Sequence, residues 1–363
     1  MKIALGCGAF RNPPEHMAEI FDSVLHEPEF ANKFKVVRFA VIEDHNSRHR
    51  NFGAFDRRFN PRGPQGEGKP EKMEEEQMEA VKMDEKKVKG MLWGLVVGDA
   101  FGSPIQFSGK DSHPWITEMV PCPVFGLPAG YWTDDGSMAM CVMDSAVRKG
   151  GYDLRDIGDT FVKWLYEGYL SSVDGRSFDV GGATRDSVSA IRRGSLVNGT
   201  EDSQGNGSIM RFAPSYLLAR ALGRPGIIHA VSDLTHASQA VRRTCDELAA
   251  VLDAHVAGTR TTQGPGRELD RADVPNSGWC VDTLRAALWA FNTTESFEDG
   301  LVAAVNLGGD SDSIGAVYGQ IAGAYYGVDA IPARWRDAVK DAAWVGAFID
   351  RFAALVARGA DPA

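Results

Sequence analysis

Two short acidic clusters hold the residues best equipped for chemistry in this sequence. Thr133-Asp134-Asp135-Gly136 follows Pro128, Gly130 and Trp132, and Asp310-Ser311-Asp312-Ser313 follows Gly308-Gly309. Each precedes a stretch of helical periodicity, so each is expected in a turn at a helix N-terminus, where a carboxylate can accept bonds from free backbone amides. Capping needs one acidic side chain per helix, and both clusters hold a surplus. Carboxylates at 134, 135, 310 and 312 can instead supply hard oxygen ligands, with the Thr133 and Ser313 hydroxyls completing coordination without added charge. Such a set suits Mg²⁺, with Mn²⁺ as a substitute, and the lack of a His/Cys cluster argues against structural zinc. Acids gathered so closely need two cations, or many backbone donors, to offset their repulsion. The local pattern leaves both readings open, helix caps and a dinuclear metal site.

Other polar residues are placed where a ligand could use them. Asp99 lies inside an apolar segment, where an unpaired charge is costly. Gly205-Asn206-Gly207-Ser208 is a turn signal ahead of a helical run; exposed amides there can hold phosphate oxygens, and Asn206 can add a directional contact. The loop from Cys122 to Tyr131 offers Phe125, Gly126, Gly130 and Tyr131 to shape a pocket beside the first acidic cluster. Arg211 is divided between a structural ion pair and substrate recognition. His236, after Thr235, precedes another helical stripe, and a lone histidine there is as readily structural as functional.

Four segments, in order, resemble the signatures of the ADP-ribosylglycohydrolase family: GMLWGLVVGDAFGSPIQF at 90–107, PAGYWTDDGSM at 128–138, GNGSIMR at 205–211 and AAVNLGGDSDSIGAVYGQIAGAYYG at 303–327. The resemblance implies an orthogonally packed helical domain with a Mg²⁺ pair in an acidic cleft, hydrolysing an N- or O-glycosidic link to ADP-ribose. It implies Thr133, Asp134, Asp135, Asp310, Asp312 and Ser313 as metal ligands; relatives more often carry Thr at the last position, and Ser keeps the hydroxyl. It puts Asp99 beside the cleft, to support ligands or orient substrate, and implies substrate contacts for the Gly205–Ser208 turn and His236; Gly126, Gly130 and Tyr131 join them by their place next to the first acidic cluster. Gln106 stands where many relatives have Glu, and an amide cannot accept a proton as a general base. Either an aspartate among 134, 135, 310 and 312 manages the water, with Gln106 in a hydrogen-bonding role, or turnover is weakened. The expected substrate is an ADP-ribosylated protein, arginine-linked by family analogy. The alternatives are a small ADP-ribosyl compound or other N-glycoside, or a binding module in which Gln106 marks weakened catalysis.

The elements that must position these residues are mainly helical. Met138, Cys141, Val142 and Ala146 form one apolar stripe, and Val241, Cys245, Leu248, Ala249 and Leu252 another. Val302, Val305, Ile314, Val317 and Ile321 continue the pattern. Gly98, Ala100, Gly319, Ala322, Gly323 and Ala324 would let helices approach closely. A predominantly all-α domain is expected over 88–355, with a surface excursion near 258–278 and a charged linker and helical lead-in at 61–87. Residues 1–60 read as a β-loop-α-β fragment. GCGAFRNPP and FKVVRFAVIED in it resemble the C-terminal part of microbial poly(ADP-ribose) glycohydrolase macrodomains. Gly6, Gly8 and Phe10 are its weak binding candidates, and self-association or a partner chain could complete it.

Across all 363 residues the formal charge is −10, from 49 acidic and 39 basic side chains, which offers no general attraction to nucleic acid. No secretory leader is expected, since Arg11, Asn12 and Pro13 come before an apolar run long enough for export, and no membrane span, since Met91 to Phe107 is too short and contains Asp99 and Gln106. Five scattered cysteines without a close pair read as buried, reduced side chains of a cytoplasmic protein.

Overall fold

The computed structural model describes residues 83–359. Residues 1–60, for which a macrodomain-like fragment was expected, and most of the expected charged linker lie outside them. The first described helix, α1 (Glu85–Gly102), begins three residues before the expected boundary at 88, because Asp84 accepts a bond from the Lys86 amide at 2.8 Å and caps it. After a turn of 3-10 helix and a long loop come α2 (Asp134–Lys149) and α3 (Leu154–Glu167). Asp153 caps α3, and both helices end on left-handed glycines, Gly150 and Gly168, each at φ 69°. The chain continues through α4 (Gly182–Arg192), α5 (Phe212–Ala221), α6 (Gly226–Asp233), α7 (Gln239–Val256), α8 (Cys280–Thr293) and α9 (Phe297–Val305). It closes with α10 (Ser311–Tyr326), α11 (Ala333–Ala338) and α12 (Ala342–Arg358). Among the described residues the only β pairing is two isolated bridges, Cys122 with Leu127 and Gly205 with Trp279, so this part of the chain is all-α.

The core is organised by α1 against α10, an antiparallel pair whose backbones touch. Gly90, Gly94, Gly98 and Gly102 recur every fourth residue on one helix, facing Gly323, Gly319, Gly315 and the Ser311–Asp312 backbone on the other. A Cβ at Gly98 would lie 2.0 Å from the Gly315 carbonyl oxygen, and one at Gly94 would lie 2.1 Å from that of Gly319. This register puts the end of α1, with Asp99 and Gln106 beyond it, beside the start of α10, with Asp310, Asp312 and Ser313. The apolar stripes read from the sequence pack around this pair: Met138, Cys141, Val142, Val241, Cys245 and Leu248 are all fully buried. Each large apolar side chain so covered contributes roughly 1.5–3 kcal/mol. Cys122, Cys141, Cys245 and Cys280 are buried free thiols. No helix among the described residues is long and apolar enough to cross a membrane.

The 258–278 segment runs largely over the surface, with one short 3-10 turn at Arg271–Asp273. Its far end turns inward. The Asn276 carbonyl accepts the Asp310 amide at 3.0 Å and the Gly278 carbonyl accepts the Asn206 amide at 3.0 Å, so the excursion returns to brace two segments of the acidic site.

Candidate metal centre and cleft

At the start of α2, Thr133 is the capping residue, yet its hydroxyl caps none of the backbone amides of its own helix. Asp99 does that work from α1. Its carboxylate accepts from the Thr133 amide at 2.9 and 3.0 Å and from the Gly136 amide at 2.8 Å. Asp310 likewise sits at the cap of α10 without capping it; its carboxylate takes a bond from the Asn206 side-chain amide, Nδ2, which also donates to the Thr283 hydroxyl at 2.9 Å. Neither Thr133 nor Asp310 is spent as a cap of its own helix, and both side chains turn to the shared site.

Asp99, Asp135 and Asp312 each present an oxygen within 4.8 Å of the others'. The Thr133 hydroxyl lies 3.4 Å from Asp135 Oδ2 and 3.5 Å from Asp312 Oδ2. That of Ser313 lies 3.1 and 3.4 Å from the two Asp135 oxygens. Above this floor opens a cleft of about 510 Å³, walled by Asp134, Asp310, Gln106, Asn206 and His236 among others. A slightly larger cavity, about 590 Å³ beside Trp132 and Trp344, has no such convergence of carboxylates.

Asp179 also lines the cleft, and sequence reasoning missed it. It accepts a bond from Gln106 Nε2 at 2.8 Å and adopts φ 56°, an uncommon conformation for a non-glycine residue. A signal was present: Asp179 precedes Gly181-Gly182 at the start of α4, much as Gly308-Gly309 flank Asp310 at the start of α10. The expected substrate contacts divide. Gly205, Asn206, Gly207 and His236 line the cleft. Ser208 is buried against Ser232, whose hydroxyl donates to it at 2.8 Å. Gly126, Gly130 and Tyr131 are not part of this wall: the Gly130 carbonyl holds the Lys340 amide at 2.9 Å, and Tyr131 lies under the Lys340 ammonium. Phe125 links the loop to the site indirectly, edge-on to Phe178 at 5.1 Å. Asp99 lies beneath the cleft and acts on the α2 backbone. The amides of the Gly205–Ser208 turn are not all exposed, because that of Asn206 is bonded to Gly278.

A model of the ADP-ribosylglycohydrolase family matches residues 81–362. The chain belongs to this family. Proteins named ADP-ribosylarginine hydrolase Tri1 are similar to it: that of Pseudomonas putida is 36% identical over 71% of this chain and 74% of its own length, and that of Serratia proteamaculans 34% identical over 69% and 74%. The ADP-ribosyl-[dinitrogen reductase] glycohydrolase of Rhodospirillum rubrum is 30% identical over 68% of this chain and 87% of its own. A solved ADP-ribosylglycohydrolase-related protein complex superposes with a TM-score of 0.64 at 30% identity, covering 76% of this chain and all of that one.

In this family member the charges of the site are unbalanced. Burial first, and then neighbouring carboxylates, push Asp134, Asp135 and Asp312 well above the usual carboxylate range. Asp99 is raised to about 7 by burial, against the lowering effect of its bonds to the Thr133 and Gly136 amides. Asp310 and Asp179 are raised by burial as well. Arg211 is the buried cation near Asp134 and Asp135, and although burial brings it down to about 10 it stays charged at neutral pH. Asp312 Oδ1 is buried with no hydrogen-bond partner. An orphaned carboxylate oxygen amid hard oxygen donors is what a divalent cation satisfies, so the residues present fit a metal site.

These raised carboxyls bind protons more tightly folded than unfolded. Without metal, the contribution of Asp99, raised to about 7, is fully present below about pH 4 and is lost as pH rises to about 7, and the other raised carboxyls act in the same direction. Chelator-treated protein is therefore expected to melt at least about 5 °C higher at pH 5.5 than at pH 8. Added divalent cation should restore the alkaline loss. Thermal melts at both pH values check this, and a lower melting temperature at pH 5.5 would contradict it.

Proposed function

We propose that this chain hydrolyses the glycosidic bond joining ADP-ribose to arginine side chains of modified proteins, using a pair of Mg²⁺ ions. The observation that carries the reading is the convergence of Asp135, Asp312, Thr133 and Ser313 beneath a cleft walled by Asp134, Asp310 and Asp179. The relatives named for arginine-linked substrates support the choice of linkage. Thr133, Asp134, Asp135, Asp310, Asp312 and Ser313 would hold the ions. Bound there, the cations would polarise substrate oxygens and make water more acidic.

The protein's own residues do the rest. Asn206 fixes the Asp310 carboxylate, and Asp99 holds the Thr133 turn in place through the backbone. Gln106 offers its amide N–H to Asp179 and so orients it, leaving the carboxylate to take the proton that an amide cannot. The burial that raises the pKa of Asp179 makes it a better proton acceptor than an exposed carboxylate. In this reading the glutamine at 106 does not abolish catalysis, because a carboxylate stands beside it.

Mass-spectrometric detection of ADP-ribose release from arginine-, serine- and glutamate-modified peptides and from free ADP-ribosyl compounds, with Mg²⁺ or with chelator, tests this. Mg²⁺-dependent release confined to the arginine peptide is expected, and Asp179→Asn should slow it by about 10²–10⁴-fold. Release only from free compounds would shift the substrate class. Tight binding without release would mark a binding module.

A further inference from the structure

Beneath the wall of the cleft, the side chains of Arg211, Thr235 and His236 form a buried chain. Arg211, just before α5, donates from one guanidinium nitrogen to the Gly207 carbonyl and from the other to the Thr235 hydroxyl at 2.7 Å. Thr235 Oγ1 lies 2.8 Å from His236 Nδ1. All three residues are at most 3% exposed. The Thr235 backbone is pinned as well, its carbonyl accepting from the Ser187 hydroxyl on α4 at 3.0 Å.

The direction of these bonds follows from the chemistry of the groups. A guanidinium only donates, so Thr235 Oγ1 accepts from Arg211. The hydroxyl hydrogen then needs an acceptor, and among the described residues His236 Nδ1 is the one in reach. The opposite arrangement, with a proton on Nδ1, would give Thr235 two donors and leave its own hydrogen buried and unpaired, which is costly. The proton of the neutral imidazole therefore belongs on Nε2. The ring lies against the glycine turn: a Cβ on Gly207 would come within 2.4 Å of Cε1, and one on Gly205 within 3.5 Å of Nε2. His236 lines the cleft, and its Nε2 makes no hydrogen bond to any described residue.

We infer that Arg211, acting through Thr235, is a positioning residue that fixes His236 as the Nε2–H tautomer, a hydrogen-bond donor presented to an oxygen acceptor of the bound substrate. His236 then binds by donating and takes no proton from the reaction, which separates its role from that of Asp179. The substrate half of this inference rests on the hydrolase reading; the tautomer half does not.

The test uses the full chain with isotope-labelled histidine and long-range proton–nitrogen NMR at neutral pH, the His236 signals being assigned by their loss in His236→Gln. Nε2 is expected to carry the proton almost exclusively in the parent and in Thr235→Ser, and Thr235→Val, which keeps the shape and removes the hydroxyl, is expected to relax to a tautomer mixture with a detectable Nδ1–H fraction. Thr235→Val should also raise KM for the arginine-linked peptide on the order of tenfold with kcat changed less than about twofold, the loss of one hydrogen bond to substrate. Thr235→Ser should restore KM. A proton on Nδ1 in the parent, or an unchanged tautomer in Thr235→Val, overturns the relay. The expected tautomers with an unchanged KM overturn the donor role. Failure of the hydrolase reading is separable, since it would appear as absent turnover with the NMR result still as expected.

Discussion

Joint replacement of Asp310 and Asp312 by asparagine is expected to lower metal-dependent release of ADP-ribose by at least about 10³-fold while the helical fold is kept. Asparagine retains size and some polarity but removes two of the charges that would hold the cations. Asp312 is the sharper loss, because its buried Oδ1 has no protein partner and its other oxygen faces the Thr133 hydroxyl. The same change relieves repulsion in metal-free protein, since both carboxylates carry raised pKa values there. The double variant should therefore melt at or above the parent in chelator and gain less on adding Mg²⁺. Turnover, circular dichroism and melts with and without metal read all three effects. Release within tenfold of the parent would remove the acidic cluster from the mechanism.

The largest effect on stability is expected away from the cleft, at Gly94. In a solvent-exposed helix, Gly→Ala gains about 1 kcal/mol from propensity alone. Here the added methyl would lie 2.1 Å from the Gly319 carbonyl oxygen and 2.7 Å from its carbon, and backbone on both sides leaves nothing flexible to yield. Helices α1 and α10 would have to separate along their length, forfeiting contacts among fully buried neighbours such as Met91, Leu95, Val317 and Ile321. Sterics outweigh propensity, and a loss of more than about 4 kcal/mol is expected, enough to lower the melting temperature by at least about 8 °C. Separation of the helices would also draw Asp99 away from Asp312, so metal affinity should fall along with stability. Calorimetric melting and Mg²⁺ titration of Gly94→Ala check both, and a variant that melts within about 2 °C of the parent would show that the pair does not depend on backbone contact.

Much of this was legible in the chain. The helix starts at 134 and 311 are local features, set by acidic, hydroxyl and glycine residues over a few positions, and they can be read without knowing the fold. The apolar stripes likewise depend on helical period alone, and small residues such as Gly98, Gly319 and Gly323 mark helices able to approach closely, which is why the all-α domain was foreseen; the four-residue glycine register between α1 and α10 came only from the structure. The family signatures added the set of candidate ligands. What each polar side chain bonds to was less legible, because that depends on segments far apart in sequence. Asp99 became a cap for α2, thirty-odd positions away; Asn206 became a support for Asp310; and Gly130 and Tyr131 met Lys340 in the α11–α12 connection.

The sequence by itself determined which residue types could bind hard cations, where helices begin, and to which family the chain belongs. Only the tertiary structure decided that Asp179 stands beside Gln106, that Thr133 is relieved of capping by Asp99, and that His236 is tied to Arg211 through Thr235. The reason is physical. Helix propensity and capping act over three or four residues, whereas the meeting of these side chains is fixed by the glycine-to-glycine register of α1 on α10 and by the loops that return to it.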